Sequence, residues 1–119
     1  MKILAIVTGI GYGDATRDYA ILQELQKKDK NIEIRVVAYE NSYNFLKNKF
    51  PTIKMRGYRF PGYNLKFQLF TFMLSNLLLP FFWLLDVYRI KKQLADFSPD
   101  IILTDLEPLG LLLSRRLKK

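Results

Sequence analysis

The 119 residues carry 19 basic and 11 acidic side chains, a formal net charge of +8, and neither Cys nor His. This excludes disulfides, thiolate or imidazole metal sites and His-dependent triads, and leaves acid–base work to Asp, Glu, Lys or Tyr. Half the residues are hydrophobic and a quarter charged, which excludes a disordered chain and fits one domain with one core.

In chain order, Lys2–Thr8 is almost wholly apolar and predicts a strand covered on both faces. The run Ile3-Leu4-Ala5-Ile6-Val7 is too short for the apolar core of a signal peptide. Gly9–Gly13 is a glycine-rich turn. Asp14–Lys28 predicts a helix, with Tyr19, Leu22 and Leu25 at helical spacing, Lys27 and Lys28 at its end, and Asp14 or Gly13 as cap. Ile32–Ala38 predicts a second strand. A short helix capped by Asn41 or Ser42 runs to Lys49, Pro51 ends it, and Thr52–Arg56 is a weaker third strand. Gly57–Asn64 is a loop. Leu65–Phe97 predicts two helices joined or kinked at Pro80, the second running Phe81–Phe97. Ile101–Thr104 is a fourth strand, Asp105–Pro108 a turn, and Leu109–Lys119 a helix with Pro108 in its first turn.

Charge is unevenly placed. Residues 41–85 carry six bases and no acid, and hold 12 of the 17 aromatics. Lys54, Arg56, Arg59 and Lys66 lie beside Phe60, Phe70, Phe81, Phe82 and Trp83, a combination suited to an anionic membrane surface. The 19 uncharged residues between Lys66 and Asp86 reach the lower range of a membrane span, but Pro80 and the polar residues Gln68, Thr71, Ser75 and Asn76 interrupt them. A solvated basic face beside an ordinary core helix is the alternative. Nucleic acid is ranked lower, because the apolar residues here are aliphatic and continuous.

The order βαβαβ(αα)βα predicts an α/β domain over residues 1–119: a Rossmann-like parallel sheet of order 3-2-1-4, helices on both faces, and right-handed crossovers. Its fourth strand is then an edge with little cover, as in part of a larger doubly wound domain. Ligands of such sheets bind where strand order reverses, here between the first and fourth strands. The loop Thr8–Asp14 brings Gly9, Gly11 and Gly13, for close backbone approach and positive φ, to a helix N-terminus that favours anions. Tyr12 lies in the same loop, and Thr16 and Arg17 add a hydroxyl and a cation. The facing turn brings Asp105 and Glu107, as partners for sugar hydroxyls or, for Asp105, as a helix cap. The glycine spacing is not that of a dinucleotide fingerprint, so NAD is weakly supported. No carboxylate pair suggests a metal.

The segments Val7-Thr8-Gly9-Ile10-Gly11-Tyr12-Gly13-Asp14-Ala15-Thr16-Arg17 and Pro99-Asp100-Ile101-Ile102-Leu103-Thr104-Asp105-Leu106-Glu107-Pro108 resemble the N-terminal, acceptor half of GT-B glycosyltransferases. The branch they look most like contains the lipid-linked peptidoglycan GlcNAc transferase, the diacylglycerol glycosyltransferases and uncharacterised archaeal relatives. In that family the first loop reads roughly G-x-G-G-H-x-x-R. Asp14 stands here at the position of the proposed His base, and Arg17 matches the arginine. The resemblance implies transfer of a sugar from a nucleotide-sugar of UDP type to a lipid-linked or membrane-associated acceptor, with no further cofactor. It implies a donor-binding second domain, in cis or in trans, and a peripheral place on the cytoplasmic membrane face. It also leaves open a non-catalytic recruiting subunit of a split enzyme. A small phosphate- or nucleotide-binding α/β domain, flavodoxin-like in layout, remains a third reading.

Overall fold

The computed structural model describes residues 1–60 and 69–119. It contains four parallel strands, β1 (Lys2–Val7), β2 (Glu33–Ala38), β3 (Thr52–Lys54) and β4 (Ile101–Thr104). The helices are α1 (Tyr12–Lys28), α2 (Glu40–Leu46), α3 (Leu69–Ser75), α4 (Leu79–Gln93) and α5 (Pro108–Leu117). The sheet order is β3-β2-β1-β4, as the sequence predicts. In register, Ile3 pairs with Ile34 and Ile101, and Ala5 with Val36 and Leu103.

β1 is central because nothing along it needs water. Ile3, Ala5 and Val7 point to one face, with Leu22, Ile34, Val36, Leu46 and Phe50 under α1 and α2. Leu4 and Ile6 point to the other, with Val37, Trp83, Val87, Ile90, Leu109 and Leu113 under α4 and α5. Each of these buried aliphatic side chains stabilises the fold by about 1.5–3 kcal/mol relative to exposure. The two-sided cover follows from the reversal at β1. If every crossover is right-handed, connections running from β1 towards β3 and those running back to β4 must lie on opposite faces. β4, at one edge, lacks this double cover. Ile102 packs on the α5 side, whereas Ile101 and Leu103, facing the α1 side, are exposed.

Several local expectations are corrected. α1 begins at Tyr12 with Gly11 as N-cap and no side-chain cap, so neither Asp14 nor Gly13 caps it. α2 begins at Glu40, ahead of Asn41 and Ser42, and ends at Leu46 rather than Lys49. Ser42 instead donates its hydroxyl to the Thr8 carbonyl, tying α2 to the end of β1. The break between the paired helices falls at Asn76–Leu78, and Pro80 sits inside the first turn of α4, where its missing N–H has no intrahelical use. Among the described residues no single helix is long and apolar enough to cross a membrane. α3 and α4, bent by 41° at their break, reach that length and composition only as a pair. The expected start of this region at Leu65, the second half of the Gly57–Asn64 loop, and Lys66 lie within residues 61–68, outside the described residues.

Candidate functional site

The carboxyl ends of β1 and β4 lie side by side, and the loops that follow them meet. The Asp105 N–H donates to the Ile6 carbonyl at 3.0 Å. Arg17, on the second turn of α1, reaches across to Asp105 at 2.5 Å. The same guanidinium lies 3.2 Å from Asp14 and 3.7 Å from Asp18. Asp105 raises the Arg17 pKa most, and Asp18 and Asp14 add to it. One cation thus organises three carboxylates into a rim. Asp18 is the most enclosed of the three. Burial, then the Asp105 charge, push its pKa up, and its Oδ2 is buried without a hydrogen-bond partner. Below the rim, a cavity of about 270 Å³ is floored by Ala5, Val7, Leu22 and Leu103.

The first-turn N–H groups of α1 have no side-chain cap and face this mouth as a partial positive charge. A Cβ on Gly11 or Gly13 would meet nothing within 4 Å, so both positions are open to a ligand. Neither needs glycine for its conformation, since Gly11 is extended (φ −159°) and no positive φ occurs at Gly9 or Gly13. Gly9 is required for another reason. A Cβ there would drive into the Tyr39 carbonyl. The hydroxyl of Thr16 bonds back to the Gly13 carbonyl at 2.9 Å, so it braces the helix. Tyr12 is exposed at the mouth.

Asp105 does not cap α5. Glu107 holds the N-cap position, without a side-chain cap bond. Between them Leu106 takes φ 53° and is 90% exposed, an unfavourable conformation for a branched side chain and a sign that the turn is held from both sides. Glu107 turns inward rather than to the mouth and is only 3% exposed. Both its carboxylate oxygens lack a hydrogen bond of good geometry. Burial raises its pKa, and the nearby Thr8 and Tyr39 hydroxyls only partly offset this. Tyr39, whose hydroxyl lies 3.2 Å from that of Thr8, is pushed up to about 12, chiefly by burial. This inner cluster of Thr8, Tyr39, Ser42 and Glu107 escapes a motif reading, because its members follow three different strands and meet only in the folded sheet.

A second feature lies at the end of β3. Asp86 of α4 is completely buried, accepts the Arg56 N–H at 2.8 Å, and pairs with Arg56 at 3.2 Å and Arg89 at 3.1 Å. Trp83 donates its indole N–H to the Arg56 carbonyl at 3.0 Å. Trp83 is therefore core and not membrane surface as expected. Phe82 is half-buried with the Arg56 guanidinium 4.6 Å over its ring. Lys54, Arg56, Arg59 and Phe60 are exposed. So are Phe70 and Phe81, along with Leu69, Met73, Leu77, Leu78, Leu84 and Leu85. Asp86, Arg56, Arg89 and Trp83 together form a latch between α4 and the end of β3, and the sequence carries one signal for it: the acid that closes the uncharged run, with Arg89 three residues on.

No curated protein and no solved structure matches the chain. One family model does, over residues 1–118, and its description is glycosyl transferase family 1. That match takes in both loops of the mouth and the whole four-stranded sheet. The chain belongs to glycosyl transferase family 1 and is a glycosyltransferase domain with a Rossmann-like α/β fold.

Proposed function

We propose that this domain is the acceptor half of a GT-B glycosyltransferase that works at an anionic membrane surface on a lipid-linked or membrane-associated acceptor. The observation that carries this reading is the bare apolar face of α3 and α4. Phe70 on α3 is 80% exposed, and Leu77 and Leu78 at the break and Phe81 on α4 are exposed with it, as are Lys54, Arg56 and Arg59. An exposed apolar patch of this extent, with cations at its rim, matches an interface of head groups and acyl chains. The nucleotide-sugar, of UDP type by resemblance, is held mainly by a donor-binding domain in cis or in trans.

In the transfer step, Asp14 takes the proton of an acceptor hydroxyl as that oxygen attacks the sugar's anomeric carbon. The bond from that carbon to the nucleotide diphosphate breaks, and the diphosphate leaves with the electron pair, inverting the centre. Asp14 stands on the first turn of α1, half-buried, with Arg17 holding its orientation. The uncapped N–H groups beside Gly11, Tyr12 and Gly13 offset negative charge on a phosphate. Arg17 and Asp105 fix the opposite lip and offer hydrogen bonds to sugar hydroxyls.

In a complete enzyme containing this domain, label from a UDP-sugar should enter the chloroform-extractable lipid fraction. Asp14→Asn should lower turnover at least a hundredfold, on the scale of a lost general base. Label confined to water-soluble products contradicts the lipid acceptor. Unchanged turnover with Asp14→Asn removes the base and favours the second reading, a recruiting subunit whose membrane face alone matters.

A further inference from the structure

The end of β3 and the α3–α4 break enclose a groove of about 620 Å³, within the range of small-ligand sites. Its lining brings Lys54, Arg56 and Arg59 together with Leu74, Leu78 and Phe82, the Arg56 guanidinium lying over the Phe82 ring. Among the described residues, Glu40 is its only acidic lining residue. The cations are carried on a backbone that the protein fixes. Asn76 accepts the Arg59 N–H at 2.8 Å and donates to the Arg59 carbonyl at 2.8 Å, and its amide also donates to the Phe72 carbonyl at 2.8 Å. Asp86 and Trp83 hold the Arg56 N–H and carbonyl in the same way. Tyr58 stacks on Phe72 at 6.0 Å between centroids and Phe60 meets it tilted at 5.1 Å, holding the segment against α3.

Charge selects the occupant. Asp86, behind the groove, is shared by Arg56 and Arg89. Among the described lining residues, Lys54, Arg56 and Arg59 stand against one acid, Glu40, a local excess of two positive charges. The apolar wall selects further. Leu74 and Leu78 belong at once to the groove and to the exposed apolar face of α3 and α4. A free anion would leave this wall unused, and a neutral lipid would leave the excess positive charge uncompensated.

We propose that this groove binds the phosphate headgroup of an anionic membrane lipid, with the first tail carbons against Leu74, Leu78 and Phe82. The proposal rests on the membrane reading and makes it specific: one lipid is held stoichiometrically, at the end of β3 and apart from the mouth between β1 and β4. Lys54 and Arg59 grip the phosphate, while Arg56, already engaged by Asp86, shapes the wall.

The chain's single Trp, Trp83, donates to the Arg56 carbonyl and so reports on the groove. The test titrates the whole chain with dihexanoyl phosphatidylglycerol below its micelle concentration and follows Trp83 emission. Dihexanoyl phosphatidylcholine and inorganic phosphate serve as separate arms. The expected result is a saturable change with phosphatidylglycerol alone, weakened on the order of tenfold or more by Lys54→Gln with Arg59→Gln, two exposed changes that leave the core intact. Equal responses to both lipids, no saturation, or an affinity indifferent to the double substitution would overturn the proposal. Inorganic phosphate binding as tightly as the lipid would also overturn it, assigning the groove to a free anion. Sedimentation with phosphatidylglycerol vesicles separates the two claims. Vesicle binding without saturable binding of the short-chain lipid defeats the groove and leaves the membrane reading standing, whereas the reverse defeats only the membrane reading.

Discussion

At the scale of single residues, the two acids of the β4–α5 turn have parted roles. Asp105 stays at the surface and is held by Arg17, while Glu107 is carried inward by the turn at Leu106. A carboxyl whose pKa is raised on folding holds its proton longer in the folded state than in the unfolded one. Its contribution is therefore complete below the ordinary Glu value of about 4.5 and is lost as pH rises towards the folded value. Asp18, also raised by burial, acts with the same sign, so the parent protein should lose stability as pH climbs out of the acid range through these two groups. Glu107→Gln isolates one of them. It should raise the melting temperature at pH 7 by about 4 °C, the scale of roughly 1 kcal/mol in a domain of this size, and the gain should vanish near pH 4. Thermal melts of both proteins across that range check it, and a pH-independent difference would show that packing, not ionisation, sets the effect.

At the scale of elements, the glycines of the first loop divide by what they touch. Gly9 lies against the Tyr39 carbonyl, so Gly9→Ala should cost about 1–3 kcal/mol in urea unfolding, the range of an overpacked core. Gly11→Ala meets open space in an extended backbone and should change stability by less than about 0.5 kcal/mol. The sequence shows three alternate glycines and cannot tell these cases apart, because the difference depends on a residue thirty positions away. The same holds for α4. Its apolar spacing is readable and its buried Asp86 is not, because that acid is stabilised by Arg56 across the sheet end. Asp86→Ala should cost about 3 kcal/mol, towards the lower end for a buried pair since both guanidinium partners remain nearly half exposed. It should also shift Trp83 emission, because the Arg56 segment that Trp83 bonds is released. Urea titration followed by circular dichroism and by fluorescence checks both parts.

For the molecule as a whole, strand order, parallel pairing and the meeting of the first and fourth loops were legible from the alternation of short β-branched runs with helical stretches. They follow from burial pattern and crossover handedness, which are local or general properties. Cap positions and the exact helix break were not, because Gly11, Tyr39 and Leu78 sit at helix starts where no side chain caps. The basic, aromatic composition of residues 41–85 was legible as well, but its division was not. Trp83 and Arg56 went into a latch, while Phe70, Phe81, Leu77 and Leu78 stayed outside. That division leaves the exposed face of α3 and α4 as the feature on which the membrane reading rests. Flotation of the whole chain with phosphatidylglycerol-containing and pure phosphatidylcholine liposomes tests it most directly. The chain should float with the anionic liposomes at low salt, float much less with neutral ones, and lose binding when Leu78→Glu and Phe81→Glu are combined. Recovery of the chain in the bottom fraction with anionic liposomes at low salt would contradict it.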